Sequence, residues 1–297
     1  MNDYSDQEIL IKNWENFDWN QLSLEQLKQL QSQISKAIDT KISELKSTES
    51  HHNQGKLYHY IASLAKVSPV RLRSSLSQYQ KCVFGISLGS QNFVDSKRLE
   101  ACIKWISENF STCLVLVCDS IYRLTIQVRQ EIKSKEAWVK SIYAGEQFIE
   151  EKCFLFEKYS QSCKFNFQKA SQIEKQPEFN SYYQALQCLY QENHSFQKLI
   201  NSFTKKYLNR GKKEQTENKY LDDYIQNKMT LSTTYILEES ALNACLIKQG
   251  WLVFVYPGSI KTFEKISEGL YPEVPEPLQQ MIWVSLRFKK KYKQLIN

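Results

Sequence analysis

The stretch CVFGISLGS, residues 82–90, begins as a continuous apolar run and ends in a segment of small residues. Ser87 lies midway between Gly85 and Gly89, and the pattern Gly-x-Ser-x-Gly is typical of a nucleophilic serine at a strand-to-helix turn. The same spacing also suits an ordinary turn at the end of a strand. The stretch therefore predicts a buried strand followed by a tight turn, and it leaves three roles for Ser87: hydrolase nucleophile, nucleophile for other chemistry, or turn residue.

The segments that follow extend this strand into an α/β pattern. SKRLEACIKWISENF, residues 96–110, has the spacing of an amphipathic helix, and CLVLVCD, residues 113–119, is an uninterrupted apolar strand that ends in Asp119. Continuous rather than alternating hydrophobicity indicates that both faces of each strand are covered, as in parallel sheets. In such sheets functional groups collect beyond the carboxyl ends of the strands, where Ser87 and Asp119 both fall.

The rest of the chain is predicted to be mostly helical. The pattern predicts long helices over 124–160 and 181–208, a polar loop over 209–223, a helix over 230–250 with a glycine stop, a last buried strand over 251–258, a helix over 259–269 and a mobile basic tail, RFKKKYK, over 287–293.

The N-terminal segment is predicted to be a helical extension. Ser23 and Gln26 form a capping box ahead of apolar residues that recur every three or four positions up to Leu45. A polar run then separates this helix from a second helical pattern, LYHYIASLAKV, at 57–67. We expect two regions: an extension over 1–75 and a main α/β domain over 76–297.

Composition limits the classes of protein that the sequence can encode. The 297 residues are 42% hydrophobic, enough for a substantial core, and no apolar run approaches the roughly 20 residues that span a bilayer. We therefore expect a cytoplasmic protein without a membrane partner. Eight cysteines occur with no Cys-x-x-Cys pair, which predicts reduced thiols, mostly in the core, and no metal site.

Charge is distributed unevenly along the chain. Residues 1–50 hold five lysines and nine acidic residues, a net charge of −4, so the remainder carries 7 + 4 = +11. A strongly basic body suits a polyanionic partner, although basicity alone indicates no sequence-specific binding.

The histidines weigh against a serine hydrolase. A triad of the α/β-hydrolase type needs a histidine downstream of the nucleophile. Three of the four histidines precede Ser87, and His194 lies within a helical pattern rather than in a late loop. A serine esterase is therefore the least favoured hypothesis.

Further candidates for a site near Ser87 lie towards the end of the chain. Tyr235 and Glu239 are four residues apart in a helical pattern, so both side chains project from one face. Tyr256 and Pro257 end a buried strand. If that strand joins the sheet of residues 82–87, these side chains meet Ser87 at one carboxyl edge; the alternative is an ordinary surface pair.

Four spans together resemble the tRNA-dependent cyclodipeptide synthases: VFGISLGSQNF (83–93), CLVLVCDSIYRLT (113–125), TTYILEESALNA (233–244) and LVFVYPGS (252–259). The resemblance covers about residues 80–265. Ser90 in place of asparagine, and Pro257 after Tyr256, match the branch of the family that carries Tyr-Pro. The family implies a Rossmann-like parallel sheet flanked by helices, similar to the catalytic domain of class I aminoacyl-tRNA synthetases.

The resemblance also implies an activity, in which two aminoacyl-tRNAs are converted to a cyclic dipeptide (a 2,5-diketopiperazine) through an aminoacyl-enzyme on Ser87. Tyr235 and Glu239 would hold the α-amino group, and Tyr256 would relay a proton or position the reacting groups. The implied substrate-binding residues are Gly85, which admits the acyl group, the pocket residues Val83, Leu242 and Phe254, and the branch residues Ser90 and Pro257.

A basic segment is the predicted contact for tRNA. Arg129, Lys133 and Lys140 would share one face of the helix predicted over 124–160, where the family also places a basic helix; a solvated charged face is an equally good interpretation. The implied substrates are two aminoacyl-tRNAs, with no DNA, no ATP and no cofactor, because the ester is already activated. We expect a monomer. The alternative function is a catalytically silent tRNA-binding protein of the same fold.

Overall fold

The computed structural model describes residues 58–208 and 221–292, together with Ser23, Glu25 and Gln26; for residues 221–223 it describes the backbone alone. The chain divides into two compact units, Met1–Leu57 and Tyr58–Asn297. In the first unit the predicted capping box is confirmed, since the Gln26 amide donates to Ser23 Oγ at 3.3 Å and the Ser23 amide donates to Gln26 Oε1 at 2.8 Å. The rest of the predicted N-terminal helix and the polar run after it lie outside the described residues.

The second unit is built on one sheet of six strands. They are β1 (Tyr58–Ser68), β2 (Lys81–Ile86), β3 (Thr112–Val117), β4 (Lys164–Lys169), β5 (Val253–Pro257) and β6 (Ile282–Tyr292). Their order across the sheet is β1-β6-β5-β2-β3-β4. The pairs from β6 to β4 are parallel, and only β1 runs antiparallel, against β6. The predicted α/β fold is therefore confirmed, with an antiparallel strand added at one edge.

Helices cover both faces of this sheet. The α-helices are α1 (Gln91–Val94), α2 (Ser96–Asn109), α3 (Asp119–Gln130), α4 (Ser134–Glu157), α5 (Ala170–Ile173), α6 (Pro177–Glu192), α7 (His194–Leu208), α8 (Leu221–Lys248), α9 (Lys261–Ser267) and α10 (Glu276–Gln279). Two short 3₁₀ turns, Val70–Leu72 and Leu76–Gln78, connect β1 to β2. The helix α8 ends as predicted at a glycine, because Gly250 adopts a φ of +87° that favours residues without a Cβ.

The helical prediction for residues 57–67 is wrong. Residues Tyr58–Ser68 form β1, which pairs along its length with β6. Over so short a stretch, the apolar residues fit both the 3.6-residue period of a helix and the two-residue period of a strand. The contact that decides between them is with a strand more than 200 residues away. The compact unit that contains the sheet accordingly begins at Tyr58 rather than at residue 76.

Both long helices predicted from the sequence are interrupted. The first breaks at Glu131, which ends α3 in the left-handed region with a φ of 59°, before α4 starts at Ser134. The second breaks at Asn193, whose extended backbone separates α6 from α7. The first break takes three residues, 131–133, and the second takes Asn193 alone, and neither contains a proline or a glycine that would indicate it from the sequence. The predicted loop over 209–223 falls mostly outside the described residues.

The predicted mobile tail is also wrong for residues 287–292. These residues form the second half of β6 and pair with Tyr58–Ser63 of β1, so the strand over 251–258 is not the last one. The lysines at 289, 290 and 291 interrupt the apolar pattern by which buried strands are predicted. Exposed lysines are nevertheless common in strands near a sheet edge.

Alternation along the strands divides the core into two layers. Cys82, Phe84 and Ile86 of β2 pack with α2 on one face of the sheet, whereas Val83 packs with α6, α7 and α8 on the other. All eight cysteines are free thiols, six of them buried, as the sequence predicts. No helix within the described residues is both long enough and apolar enough to cross a membrane.

Candidate active site

Ser87 lies at the predicted strand-to-helix turn. It follows β2 directly, and the Ser90 amide donates to the Ser87 carbonyl at 3.0 Å, which closes the turn before α1. The Ser90 hydroxyl accepts from the Asn92 amide at 3.4 Å and so caps α1. Ser87 is half-buried and follows the buried residue Ile86.

The sheet register places Ser87 beside the ends of both neighbouring strands. On one side Ile86 pairs with Val117, and the Cys118 amide donates to the Ile86 carbonyl at 3.1 Å. On the other side Phe84 pairs with Val255, which brings the next residue of each strand, Gly85 and Tyr256, to the same level. Side chains alternate along strands, so Gly85 and Ser87 share the face occupied by Val83.

This face carries the three residues that are predicted to line a side-chain pocket. Val83, Leu242 and Phe254 are at most 4% exposed and belong to one apolar cluster, together with Tyr235. A Cβ added to Gly85 would meet no described atom within 4 Å. The structure therefore brings the predicted apolar residues together and leaves open space over Gly85.

The helix α8 lies on this same face and presents the predicted Tyr and Glu pair. Tyr235 is only 8% exposed and stacks on Phe203 and Tyr207 of α7, with ring centroids 6.1 Å and 5.3 Å away. Stacked rings bury a large apolar area and hold the Tyr235 ring in a fixed orientation. Tyr235, Glu239 and Leu242 recur at three- and four-residue spacing and so share one face of α8.

The Glu239 carboxyl group is enclosed. Its Oε2 atom is closed off from solvent and has no hydrogen-bond partner among the described residues. Burial raises the pKa of this carboxyl to about 8, because a charged carboxylate loses hydration there without gaining a cation. A half-buried acid with an enclosed, unpaired oxygen and a pKa near neutrality is suited to bind an ammonium group or to exchange a proton with an amine.

The pKa of Tyr235 indicates which groups surround it. Burial raises this pKa well above its ordinary value, and the nearby charges of Glu239, Tyr207, Cys118 and Tyr256 raise it further. Tyr256 is the penultimate residue of β5 and Cys118 follows the end of β3, and these strands lie on either side of β2. Tyr235, Glu239 and Tyr256 therefore share one environment at the carboxyl edge of the sheet.

Tyr256 and Pro257 are held by the turn that contains Ser87. The Tyr256 ring packs between Phe93 and Trp283, with centroids 5.8 Å and 6.0 Å away. Asn92 donates through Nδ2 to the Pro257 carbonyl at 3.1 Å, which ties α1 to the end of β5. Pro257 and Ser90 thus have visible structural roles here, and substrate contact by either one stays a prediction.

A buried charged cluster beneath the site escaped the sequence analysis. Arg123 forms an ion pair of 2.6 Å with Glu238, lies 4.0 Å from Glu174 and stacks over Trp138. Glu174 also accepts from Ser120 Oγ, and burial raises its pKa to about 7. The cluster anchors α8 to α3 immediately beside Glu239. The Arg and Glu lie 115 residues apart, so only the fold shows their pairing.

Asp119 is buried at the neighbouring strand end, but it is already engaged. Its carboxylate accepts from the backbone amides of Ser120 and Ser171, at 2.8 Å and 2.9 Å, and from Ser171 Oγ at 2.6 Å. A carboxylate with three donors in place stabilises the turn into α3 and has little capacity left for a substrate.

The three predicted basic residues do not share one helix face. Arg129 belongs to α3, Lys133 precedes α4, and Lys140 lies within α4, where it pairs with Glu136 at 2.8 Å. The left-handed residue Glu131 separates the two helices and breaks the spacing on which the prediction depends. All three side chains are exposed, and contact with tRNA remains a prediction for each one separately.

Comparisons with known proteins rest on structure. No family model matches the sequence, and no curated protein matches it. A cyclodipeptide synthase from Fluoribacter dumoffii matches with a TM-score of 0.63 and 22% identity, over 79% of this chain and 100% of that one. A cyclodipeptide synthase from Candidatus Glomeribacter gigasporarum, bound to Phe-tRNAPhe, matches with a TM-score of 0.56 and 15% identity, over 76% and 95%.

A third solved structure connects this fold to the synthetases. It is a Mycobacterium tuberculosis protein, described as demonstrating that cyclodipeptide synthetases are related to type I tRNA synthetases, with a TM-score of 0.51 and 10% identity over 79% of this chain and 94% of that one. The six-stranded sheet, its flanking helices and these matches agree with the predicted architecture. The chain therefore has the fold of the cyclodipeptide synthases.

Proposed function

We propose that the protein is a tRNA-dependent cyclodipeptide synthase, which joins the aminoacyl groups of two aminoacyl-tRNAs into a cyclic dipeptide. The proposal is supported by the position of Ser87 at the end of β2, level with the end of β5 that carries Tyr256, and by the open space over Gly85 on the face where α8 carries Tyr235 and Glu239. This set occurs in the fold that the solved cyclodipeptide synthases share. One of those structures is bound to an aminoacyl-tRNA.

In the first step Ser87 Oγ attacks the ester carbonyl of an aminoacyl-tRNA. A new ester bond forms to Ser87, the bond to the terminal ribose oxygen breaks, and that oxygen takes up the proton from the serine. Exchange of one ester for another needs no external energy source, so neither ATP nor a cofactor is required. It also needs only modest activation, which suits a site whose one downstream histidine, His194, is exposed at the start of α7.

Glu239 and Tyr235 hold the α-amino group of the bound aminoacyl unit. A carboxylate pairs with an ammonium through short charge-assisted hydrogen bonds, and the enclosed position of Glu239 strengthens that pairing. A carboxyl whose pKa is about 8 can also accept the ammonium proton and leave a free amine. The same pair therefore binds the group and prepares it as a nucleophile.

The second step joins the two amino acids. The free amine on the Ser87 ester attacks the carbonyl of the second aminoacyl-tRNA, an amide bond forms, and the second tRNA leaves with the proton. The new terminal amine then attacks the Ser87 ester carbonyl, closes the six-membered ring and restores the serine hydroxyl. Tyr256 lies beside β2, where its phenol can donate and accept the proton during both attacks.

Pocket shape sets a preference for the first amino acid. Val83, Leu242 and Phe254 are all apolar, and Gly85 supplies room rather than a polar group. An aliphatic or small side chain fits such a wall. The first aminoacyl group is therefore of this class.

The direct test is to detect the product. Purified protein is incubated with a mixture of charged tRNAs, and mass spectrometry is used to search for cyclic dipeptides. We expect a cyclic dipeptide from the wild type, none from Ser87→Ala, and product from Ser162→Ala, which changes an exposed serine before β4. Binding of tRNA without product would favour a silent binder, and hydrolysis of simple esters without tRNA would favour an esterase; either result would contradict the proposal.

A further inference from the structure

A basic groove lies between α7 and α9, on the side of the candidate site away from β3. Its volume is about 640 Å³, and its walls combine lysine side chains, hydroxyl groups and a few apolar residues. The lining residues are Ser195, Lys198, Leu199, Ser202, Phe203, Lys206, Ser259, Ile260, Lys261, Thr262, Lys265 and Tyr271. No acidic residue is among them.

The lysines recur along both helices. Lys198 and Lys206 lie eight residues apart on one face of α7, with Ser202 between them, and Lys261 and Lys265 lie four residues apart on α9. Lys261 is already paired with Glu264 at 3.2 Å. Within the described part of the chain, Lys198, Lys206 and Lys265 make no ion pair, and all three are exposed. The groove therefore holds three uncompensated positive charges that converge from two helices.

The wall of the groove adjoins residues of the candidate active site at two points. Phe203 lines the groove and stacks on Tyr235 with ring planes only 13° apart. Ser259 and Ile260 line it as well, and only Gly258 separates them in the chain from Tyr256 and Pro257. The groove therefore lies next to the elements that carry Tyr235 and Tyr256.

The chemistry of the groove fits a phosphate backbone. Lysine ammonium groups and serine hydroxyls are the common protein partners of phosphate and sugar oxygens. From Ser195 to Lys206 the helix extends about 16 Å, which is long enough to face more than one phosphate of an RNA strand. A ligand that delivers an acyl ester to the site and also carries negative charges must carry them on the alcohol part of the ester, which is the leaving group.

We propose that this groove binds backbone phosphates near the 3′ end of the tRNA whose aminoacyl group is delivered to Ser87. The assignment rests on the proposed function for its choice of RNA. It places the ionic contacts on α7 and α9 rather than on the exposed residues Arg129, Lys133 and Lys140.

The test measures binding of uncharged tRNA, which requires no catalysis. Fluorescence anisotropy of labelled tRNA is recorded over a series of salt concentrations for the wild type and for two triple variants of equal net charge. The groove variant is Lys198→Gln, Lys206→Gln, Lys265→Gln. The control is Lys164→Gln, Lys175→Gln, Lys205→Gln, which removes three exposed lysines outside the groove, one of them adjacent to Lys206.

We expect the groove variant to bind roughly tenfold more weakly and to lower the slope of log affinity against log salt by about 2, since each lost phosphate contact to a single strand removes roughly 0.7. The control should keep the wild-type slope, and arginine at the three groove positions should restore it. Equal slopes for the groove and control variants would overturn the groove assignment, even if the wild type makes cyclic dipeptides. A reduced slope in a protein that makes no product would support the groove and contradict the proposed function.

Discussion

The two faces of the central strand β2 differ in how completely they are packed. On the face towards α2, Cys82, Phe84 and Ile86 are fully buried in an apolar layer. On the face towards α8, Val83 is buried, but Gly85 and Ser87 are half-buried below a glutamate without a partner and a stacked tyrosine. One strand of six residues thus forms part of a closed core and the floor of an open site.

The difference follows from the two-residue period of a strand. Each change of one position along β2 moves a side chain from one layer to the other. Dense packing on the α2 face holds the strand in position. The α8 face can therefore carry groups that lower the free energy of unfolding, such as the enclosed Glu239 carboxyl. Substitutions on the two faces should therefore separate effects on stability from effects on catalysis.

The largest separation is expected at two adjacent glutamates of α8. Glu239→Gln removes the group proposed to bind the amine, so cyclic dipeptide formation should fall by at least about 100-fold. The free energy of unfolding should not fall, because no cation loses its partner. Glu238→Gln leaves Arg123 without its 2.6 Å ion pair and should lower that free energy by about 3 kcal/mol. Turnover assays and urea unfolding check both; a destabilised but active Glu239→Gln would contradict the comparison.

Two glycines offer a matched test of open against filled space. An added Cβ at Gly145 would lie 2.6 Å from the Asp119 Cβ, whereas at Gly85 it would meet no described atom within 4 Å. Gly145→Ala should therefore cost about 2 kcal/mol or more of stability through overpacking. Gly85→Ala should leave stability within about 1 kcal/mol and reduce product formation about tenfold, because the methyl group occupies space meant for the acyl group. Equal losses of stability at both positions would show that the space over Gly85 is not open.

The dependence of stability on pH should report the enclosed Glu239 carboxyl. Its pKa is about 8 in the folded protein and 4.5 as the reference value, so the folded state binds one more proton between these limits. Stability is then full below pH 4.5 and falls as the pH rises towards 8. Between pH 5.5 and 8 the free energy of unfolding should fall less in Glu239→Gln than in the wild type, by a difference of at most about 3 kcal/mol. Urea unfolding at the two pH values measures it, and an identical pH dependence in both proteins would contradict the enclosed position.

The smallest effect is expected from the Tyr256 hydroxyl. Tyr256→Phe keeps the ring contacts with Phe93 and Trp283, so stability should change by less than about 1 kcal/mol. Product formation should fall about tenfold, and the aminoacyl-enzyme should accumulate, because the phenol is proposed to act after the first transfer. Rapid-quench measurements separate the two steps. A slower first transfer with an unchanged second step would assign Tyr256 a different role.

The central part of this architecture is accessible from sequence because its signals are local. The strands β2, β3 and β5 are short apolar runs, the Ser87 turn has its own glycine spacing, and the Tyr235 and Glu239 pair follows from helical periodicity alone. Each of these predictions depends on neighbours within about ten residues. Their convergence could be expected because carboxyl ends of parallel strands meet at one edge.

The parts that sequence reasoning missed depend on distant partners or on one residue's backbone. The strand β1 exists because it pairs with β6, and neither has a clear two-residue pattern, since lysines fill the second half of β6. The break at Glu131 needs a left-handed backbone conformation, and the sequence has no glycine there to indicate it. The ion pair of Arg123 and Glu238 and the lysine groove between α7 and α9 each combine elements that the sequence places far apart.

The central claim is that Ser87 receives an aminoacyl group in a pocket shared with Glu239 and Tyr256. The most direct measurement is the mass of the intact protein after incubation with a single charged tRNA, followed by peptide mapping of the modified residue. We predict a mass increase of one aminoacyl group located on Ser87 and absent in Ser87→Ala. An unmodified protein that still forms the cyclic dipeptide, or an aminoacyl group on another residue, would contradict the account.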